Sequence, residues 1–233
     1  MSIANSNFEE WTSANKTYDF SKFPFRLKKM SLDGALFDQD KLNYFGKEMI
    51  AKTPLDKLFT DVKAYAQRYD EEFYAKIVQN EGYFKKILNI EKDRKNPRKD
   101  YAKFSDIYPL TKFFYADEYA KIVANPLPFN PDYKKEDIAA LLSDFAAKML
   151  FGTDESSWWN GMKEIVSAHG FAISNKDYLA SPSSYKGNVS DGSSVLRVAI
   201  TGAKDSPNLH EILEILGKEE VIRRLQIVIA SLK

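Results

Sequence analysis

Leu196 to Gly217 reads LRVAITGAKDSPNLHEILEILG, and the fold turns on how its first half is read. Taken locally, LRVAITG is rich in β-branched residues that nearly alternate with others, the pattern of a half-buried strand. Its second half has the opposite period. Leu209, Ile212, Leu213 and Leu216 recur at helical spacing, and Gly217 is a natural stop. The local pattern has Ser206-Pro207 opening this helix. If the first half is a strand, the chain needs partner strands; if it is a helix, the protein is all-α.

The flanking sequence is mostly helical in pattern. Thr53 reads as an N-cap with Pro54 in the first turn, and Leu55, Leu58, Phe59, Val62 and Ala66 follow on one face. Further helices are expected over 71–79, 81–90, 103–115 and 117–124. After the Pro-rich stretch NPLPFNP (125–131), Ile138, Leu141, Leu142, Phe145 and Met149 form one apolar stripe, with Gly152 beyond it. Residues 154–168 form another helix, stopped by Gly170, and the last spans about 218–231. Residues 180–192, rich in Ser, Pro and Gly, read as a loop. Residues 1 to about 50 have weak periodicity and read as a loop-rich connector, with Ala35-Leu36-Phe37 as a short extended piece after the Asp33-Gly34 turn.

Composition narrows the chemistry. The 233 residues carry a net charge of +1, so binding of a polyanion must come from local clusters and not from overall charge. There is no Cys, which excludes disulfides and thiolate chemistry and fits a reducing compartment. The N-terminal residues show no basic-then-apolar signal pattern, and no apolar run approaches the roughly 20 residues of a membrane span. These features predict a cytoplasmic protein away from membranes.

Few residues point to a site. A basic run holds Lys85, Lys86, Lys92, Arg94, Lys95, Arg98, Lys99 and Lys103 against Glu91, Asp93 and Asp100. Such cations pair with phosphates, and Arg reads base edges with its fork; a solvated loop between helices explains the same run. His169 and His210 lack ligand or triad spacing, so neither a metal site nor a catalytic residue is predicted. Trp159 is a candidate stacking platform or a core aromatic. No Gly-rich phosphate loop is present. By these observations alone the chain is a helical protein with a local basic patch.

Two stretches add more. Lys29 to Asn43, KMSLDGALFDQDKLN, resembles the segment that follows the catalytic domain of bacterial-type glutamyl-tRNA synthetases, through Gly34 to Asp38 and Lys41-Leu42-Asn43. Lys29-Met30-Ser31 also resembles the start of the ATP-handling KMSKS loop of class I synthetases. No second lysine follows, however, and only 28 residues, without a nucleotide-binding unit, precede it. Arg197 to Leu216, followed by Gly217-Lys218-Glu219, resembles the same family's C-terminal signature. The resemblance spans about residues 8 to 233.

The resemblance implies an all-α fold: a connector over 1–52 after a catalytic domain that this chain lacks, then helical anticodon-binding subdomains over 53–151 and 152–233. It implies that LRVAITG is helical. It implies that Arg197, Ser206, Pro207, Leu209 and His210 line an anticodon pocket, with His210 where the family usually has Phe or Tyr. It leaves Arg94 or Arg98 to read the first anticodon base, while Lys92 and Lys99 join them in holding phosphates. The implied partner is the tRNA for glutamate. ATP and Mg belong to the catalytic domain of the parent ligase, so this chain is expected to be inactive alone, without cofactor or metal, and monomeric. The alternatives are a free-standing RNA-binding paralogue and a helical protein-interaction scaffold.

Overall fold

Asp70 and Asn80 show how this chain builds its first layer. The computed structural model describes residues 6–17, 19–30 and 38–232. Three helices, α3 (Leu55–Tyr69), α4 (Glu71–Gln79) and α5 (Glu81–Asn89), are joined by these two single residues. The Asp70 side chain accepts the Phe73 N–H at 3.0 Å, and Asn80 accepts the Tyr83 N–H at 2.9 Å. Each satisfies an orphan donor at the next helix while turning the chain. The helices bury Leu58, Val62, Phe73, Ile77, Phe84 and Ile87 against one another.

Chain contacts divide the molecule into two compact units, Met1–Gly46 and Lys47–Lys233. The first contains α1 (Phe8–Asn15) and the start of α2 (Gln39–Lys52). The loop-rich reading of residues 1–50 therefore misses two helices. Ala35-Leu36-Phe37 lies outside the described residues. Around α1, Phe8, Phe20 and Phe23 form an aromatic cluster with Trp11.

In the second unit a single apolar cluster runs from Leu58 to Val228. After α5 come α6 (Ile107–Thr111), α7 (Ala116–Val123), α8 (Lys135–Lys148), α9 (Glu155–Ala168) and α10 (Asn175–Ala180). The last three are α11 (Val189–Thr201), α12 (Leu209–Leu216) and α13 (Lys218–Leu232). Helix α8 lies along α13, α11 packs on α8, α9 and α13, and α12 joins α5 to α13. Among the described residues there is no strand, only one isolated bridge between Ala172 and Asn188. The fold is all-α.

LRVAIT is helical, against its local pattern. Intrinsic preferences cost at most about 0.7 kcal/mol per residue here, whereas burying one Val, Leu or Ile contributes about 1.5–3 kcal/mol. Val195, Leu196, Val198 and Ile200 are all buried. A lone strand would also leave its backbone donors unpaired, and the described residues offer no second strand to pair with. The N-terminus of α11 is set by a reciprocal capping box between Asn188 and Asp191, so the expected loop over 180–192 becomes helix from Val189.

The other end of α11 is tied by three different groups. Gly202 N–H donates to Val198 O at 2.8 Å, Tyr119 Oη–H donates to Ala199 O at 2.5 Å, and Arg224 Nη1 donates to Ile200 O at 2.9 Å. Arg224 is fully buried, its guanidinium carbon 4.0 Å from the Tyr119 ring centroid, with Nε on Glu220 Oε1 at 2.8 Å. Its positive charge suits a helix C-terminus.

Two boundaries differ from expectation. Helix α3 begins at Leu55 with Pro54 as its cap residue, while the Thr53 hydroxyl bonds back to Met49 O. Helix α12 begins at Leu209, capped by Asn208, and not at Ser206-Pro207. Pro207 stays outside the helix because Arg197 holds its carbonyl.

Gly202 sits at φ +76°, and a Cβ there would overlap Ile122 Cγ2. Gly202→Ala is expected to lower stability by about 2–4 kcal/mol, combining left-handed strain with overpacking. Urea unfolding measures this; an unchanged midpoint would refute the assignment.

Candidate nucleic-acid interface

The turn after α11 brings Arg197 back onto the chain that follows it. Its Nη1 donates to Ser206 O and Pro207 O, both at 3.0 Å, and to Ser206 Oγ. Ser206 is buried and its hydroxyl reaches Pro207 O at 3.1 Å. Burial pushes the Arg197 pKa down, Asp205 opposing, although a guanidinium remains charged at neutral pH. Arg197 thus shapes the 202–207 loop from within. Ala203, Lys204 and Asp205 are left exposed at its tip.

That loop forms one wall of a cleft of about 480 Å³ inside the second unit. Opposite stand Arg98, Asp100 and Tyr101, with Pro109, Leu110, Phe113 and Ile122 supplying apolar surface and Lys47 and Lys112 supplying charge. The volume lies within the range of small-molecule pockets. An apolar wall with a few polar groups and an Arg fork suits a flat heteroaromatic group with polar edges.

The other expected site residues are arranged unequally. Leu209 is only 5% exposed and belongs to the core. His210 is largely buried; its Nε2 lies 2.9 Å from Thr153 O, and its ring tilts against Trp158 at 5.4 Å. Trp159 stacks on Trp158 and packs against the core. Lys92 donates to the Ile50 and Ala51 carbonyls at 3.1 Å, closing the end of α2, and burial pushes its pKa down. Lys99 pairs with Glu48.

Arg94 bonds Glu211 at 2.8 Å and Glu155 at 3.3 Å. Its pKa is raised, chiefly by Glu211. Arg98 pairs with Asp100 and reaches Asp205 at 3.4 Å; burial disfavours its charge, but these carboxylates outweigh that and raise its pKa. Of the nine residues singled out from sequence, Arg98, Ser206 and Pro207 face the cleft.

Sequence reasoning set Glu91 and Asp100 against the basic run but did not pair them with particular arginines, and it missed the acids from elsewhere in the chain. Glu91, Glu155, Asp205 and Glu211 neutralise the two arginines, and the pairs Glu91–Asn208 and Glu91–Glu211 are 117 and 120 residues apart. No spacing rule reveals such pairs. Lys112 and Tyr101 carried no signal either.

Residues 189–229 match a family model described as an anticodon binding domain. The loop and one wall of the cleft fall inside this span. A glutamate–tRNA ligase of Acetivibrio thermocellus is 38% identical over 226 residues, covering 97% of this chain and 41% of the relative. That of Clostridium perfringens strain 13 is 32% identical over 225 residues, covering 97% and 41%. Nearly the whole chain is thus similar to part of a glutamate–tRNA ligase.

It spans about two-fifths of the length of the curated relatives it matches. A crystal structure of a glutamate tRNA ligase from Elizabethkingia meningosepticum superposes with a TM-score of 0.57 at 19% identity. The match covers 90% of this chain and 36% of that one, and shows a shared fold.

The Arg197 bonds predict a ranking. Arg197→Ala leaves three loop acceptors without their donor and is expected to destabilise the protein by about 1–3 kcal/mol. Arg197→Lys, with a point charge in place of the fork, should lose less. Thermal unfolding followed by circular dichroism measures both; equal stability of all three proteins would show that the clasp contributes nothing.

Proposed function

We propose that this chain reads the anticodon of the tRNA for glutamate, as one part of a ligase that joins glutamate to that tRNA. The match of residues 189–229 to an anticodon binding domain carries the reading. The position of the cleft beside the loop of that same span supports it.

In this reading a splayed anticodon base enters the cleft edge-on, and the Arg98 fork reads its acceptors. The Ser206-Pro207 segment and the apolar side chains opposite hold its faces, a stack contributing on the order of 1–3 kcal/mol. Arg197, Leu209 and His210 support the loop from behind and do not stack on bases. Lys92 and Lys99 brace α2, so the contacts to phosphate come from the exposed Lys95, Lys204 and their neighbours. Arg94, held by two glutamates, acts at the margin.

The remainder of the ligase supplies ATP, Mg and the chemistry of the bond. This chain itself holds no cofactor and no metal, and works as a monomer in the cytoplasm. Among the described residues no helix is long and apolar enough to cross a membrane.

Equilibrium binding tests the proposal. A glutamate-tRNA transcript at low salt should bind this chain about tenfold or more tightly than the same transcript with its anticodon replaced. Equal binding of the two would mean that only phosphates are held and would refute the anticodon reading.

A further inference from the structure

The cleft is lined by distant parts of the chain, and beside the Arg98–Asp205 pair a second acid, Glu91, links them. Glu91 directly follows Ile90, where α5 has ended, and adopts φ 55°, the left-handed region that non-glycine residues rarely occupy. In that conformation its backbone and its side chain both point toward the start of α12. Glu91 N–H donates to Glu211 Oε2 at 2.9 Å, and Asn208 N–H donates to Glu91 Oε2 at 2.9 Å. The same carboxylate lies 3.8 Å from Arg98 Nη1 and 3.9 Å from Arg94 Nη1. It is 18% exposed, so these contacts act in a partly dry setting.

The bonds are reciprocal: each segment donates a backbone N–H to a carboxylate of the other. One of them fixes Asn208, the residue after the Ser206-Pro207 wall, and Glu91 steers the guanidinium of Arg98 on the opposite wall. Burial of α5 against α12 brings the segments together. It does not fix the offset between Arg98 and Pro207. Bonds to Glu91 do.

We infer that Glu91 is a positioning residue for base discrimination: it sets the separation between the arginine wall and the Ser206-Pro207 wall. This rests on the anticodon reading above. The role differs from general bracing, because loss of the Glu91 carboxylate also removes one negative charge from beside two cations that keep their other acidic partners. Those cations attract any RNA through its phosphates. Removing Glu91 therefore acts in opposite directions on the two quantities, lowering discrimination while holding or raising the affinity for a wrong anticodon.

The test uses the whole chain with two variants. Glu91→Gly removes the carboxylate and places at φ 55° the residue that tolerates it, so the backbone bond to Glu211 and the fold are retained. Glu91→Gln keeps an acceptor for Asn208 N–H but no charge for the arginines. Affinities are measured for the glutamate-tRNA transcript and its anticodon-replaced form, with circular dichroism to confirm helix content.

In Glu91→Gly the ratio of the two affinities should fall about fivefold or more, the scale of coupling inside one network, with the replaced transcript bound at least as tightly as by wild type. Glu91→Gln should lie between. If wild type discriminates and both variants discriminate equally well, or if both transcripts weaken in parallel, the positioning role is overturned and the anticodon reading stands. If wild type itself does not discriminate, both fall together.

Discussion

Everything around the cleft depends on how α11 ends. The last turn of a helix leaves carbonyls without partners, and here those of Val198, Ala199 and Ile200 each find one. Gly202 closes the turn, the Tyr119 hydroxyl comes from α7, and the buried Arg224 guanidinium comes from α13. Orphan carbonyls in a dry core would cost about 1–3 kcal/mol each. Arg224 is itself expensive to bury, and it is tolerated because Glu220, the Ile200 carbonyl and the Tyr119 face surround it. The result is a fixed exit direction for the chain, which lets Arg197 grip Ser206 and Pro207 one turn further on.

The second constraint is electrostatic. The basic stretch would be a generic phosphate binder if its cations were free, but Lys85 pairs with Asp56, Lys99 with Glu48, and Arg94 and Arg98 with several acids. Exposed pairs of this kind contribute little to stability, with a median of about 0–1 kcal/mol. Their larger effect is on geometry: a guanidinium held by carboxylates has a set direction. A chain with a net charge of +1 and paired cations suits recognition of one edge in one pocket better than broad attraction to a polyanion.

Much of this was legible in the sequence, for identifiable reasons. The helix over 71–79 was read to the residue because Asp70 is a strong cap and the apolar spacing is regular. LRVAIT was misread locally because β-branched residues in a fully buried helix have no polar face to reveal the period. Val189 to Gly192 was misread as loop because serine and glycine dominate it, although Asn188 and Asp191 already form the box that starts α11. Ser206, Pro207 and Arg98, which line the cleft, were singled out through a family resemblance and general cation chemistry. Their neighbours Asp205 and Lys112 were not, and Glu91 was read only as a countercharge, since contacts between residues far apart in the chain arise only from packing. Leu209 lies in the same helical pattern as Ile212 and Leu213, and that pattern, followed strictly, places it inside.

Central to the proposed anticodon reading is a base lying between Arg98 and the Ser206-Pro207 segment. Photocrosslinking tests it directly, using a glutamate-tRNA transcript with 4-thiouridine at its anticodon uridine and mapping the modified peptides by mass spectrometry. Adducts within residues 98–113 or 201–210 are predicted. Adducts confined to α1, α10 or the exposed face of α8, with none at the cleft, would contradict it.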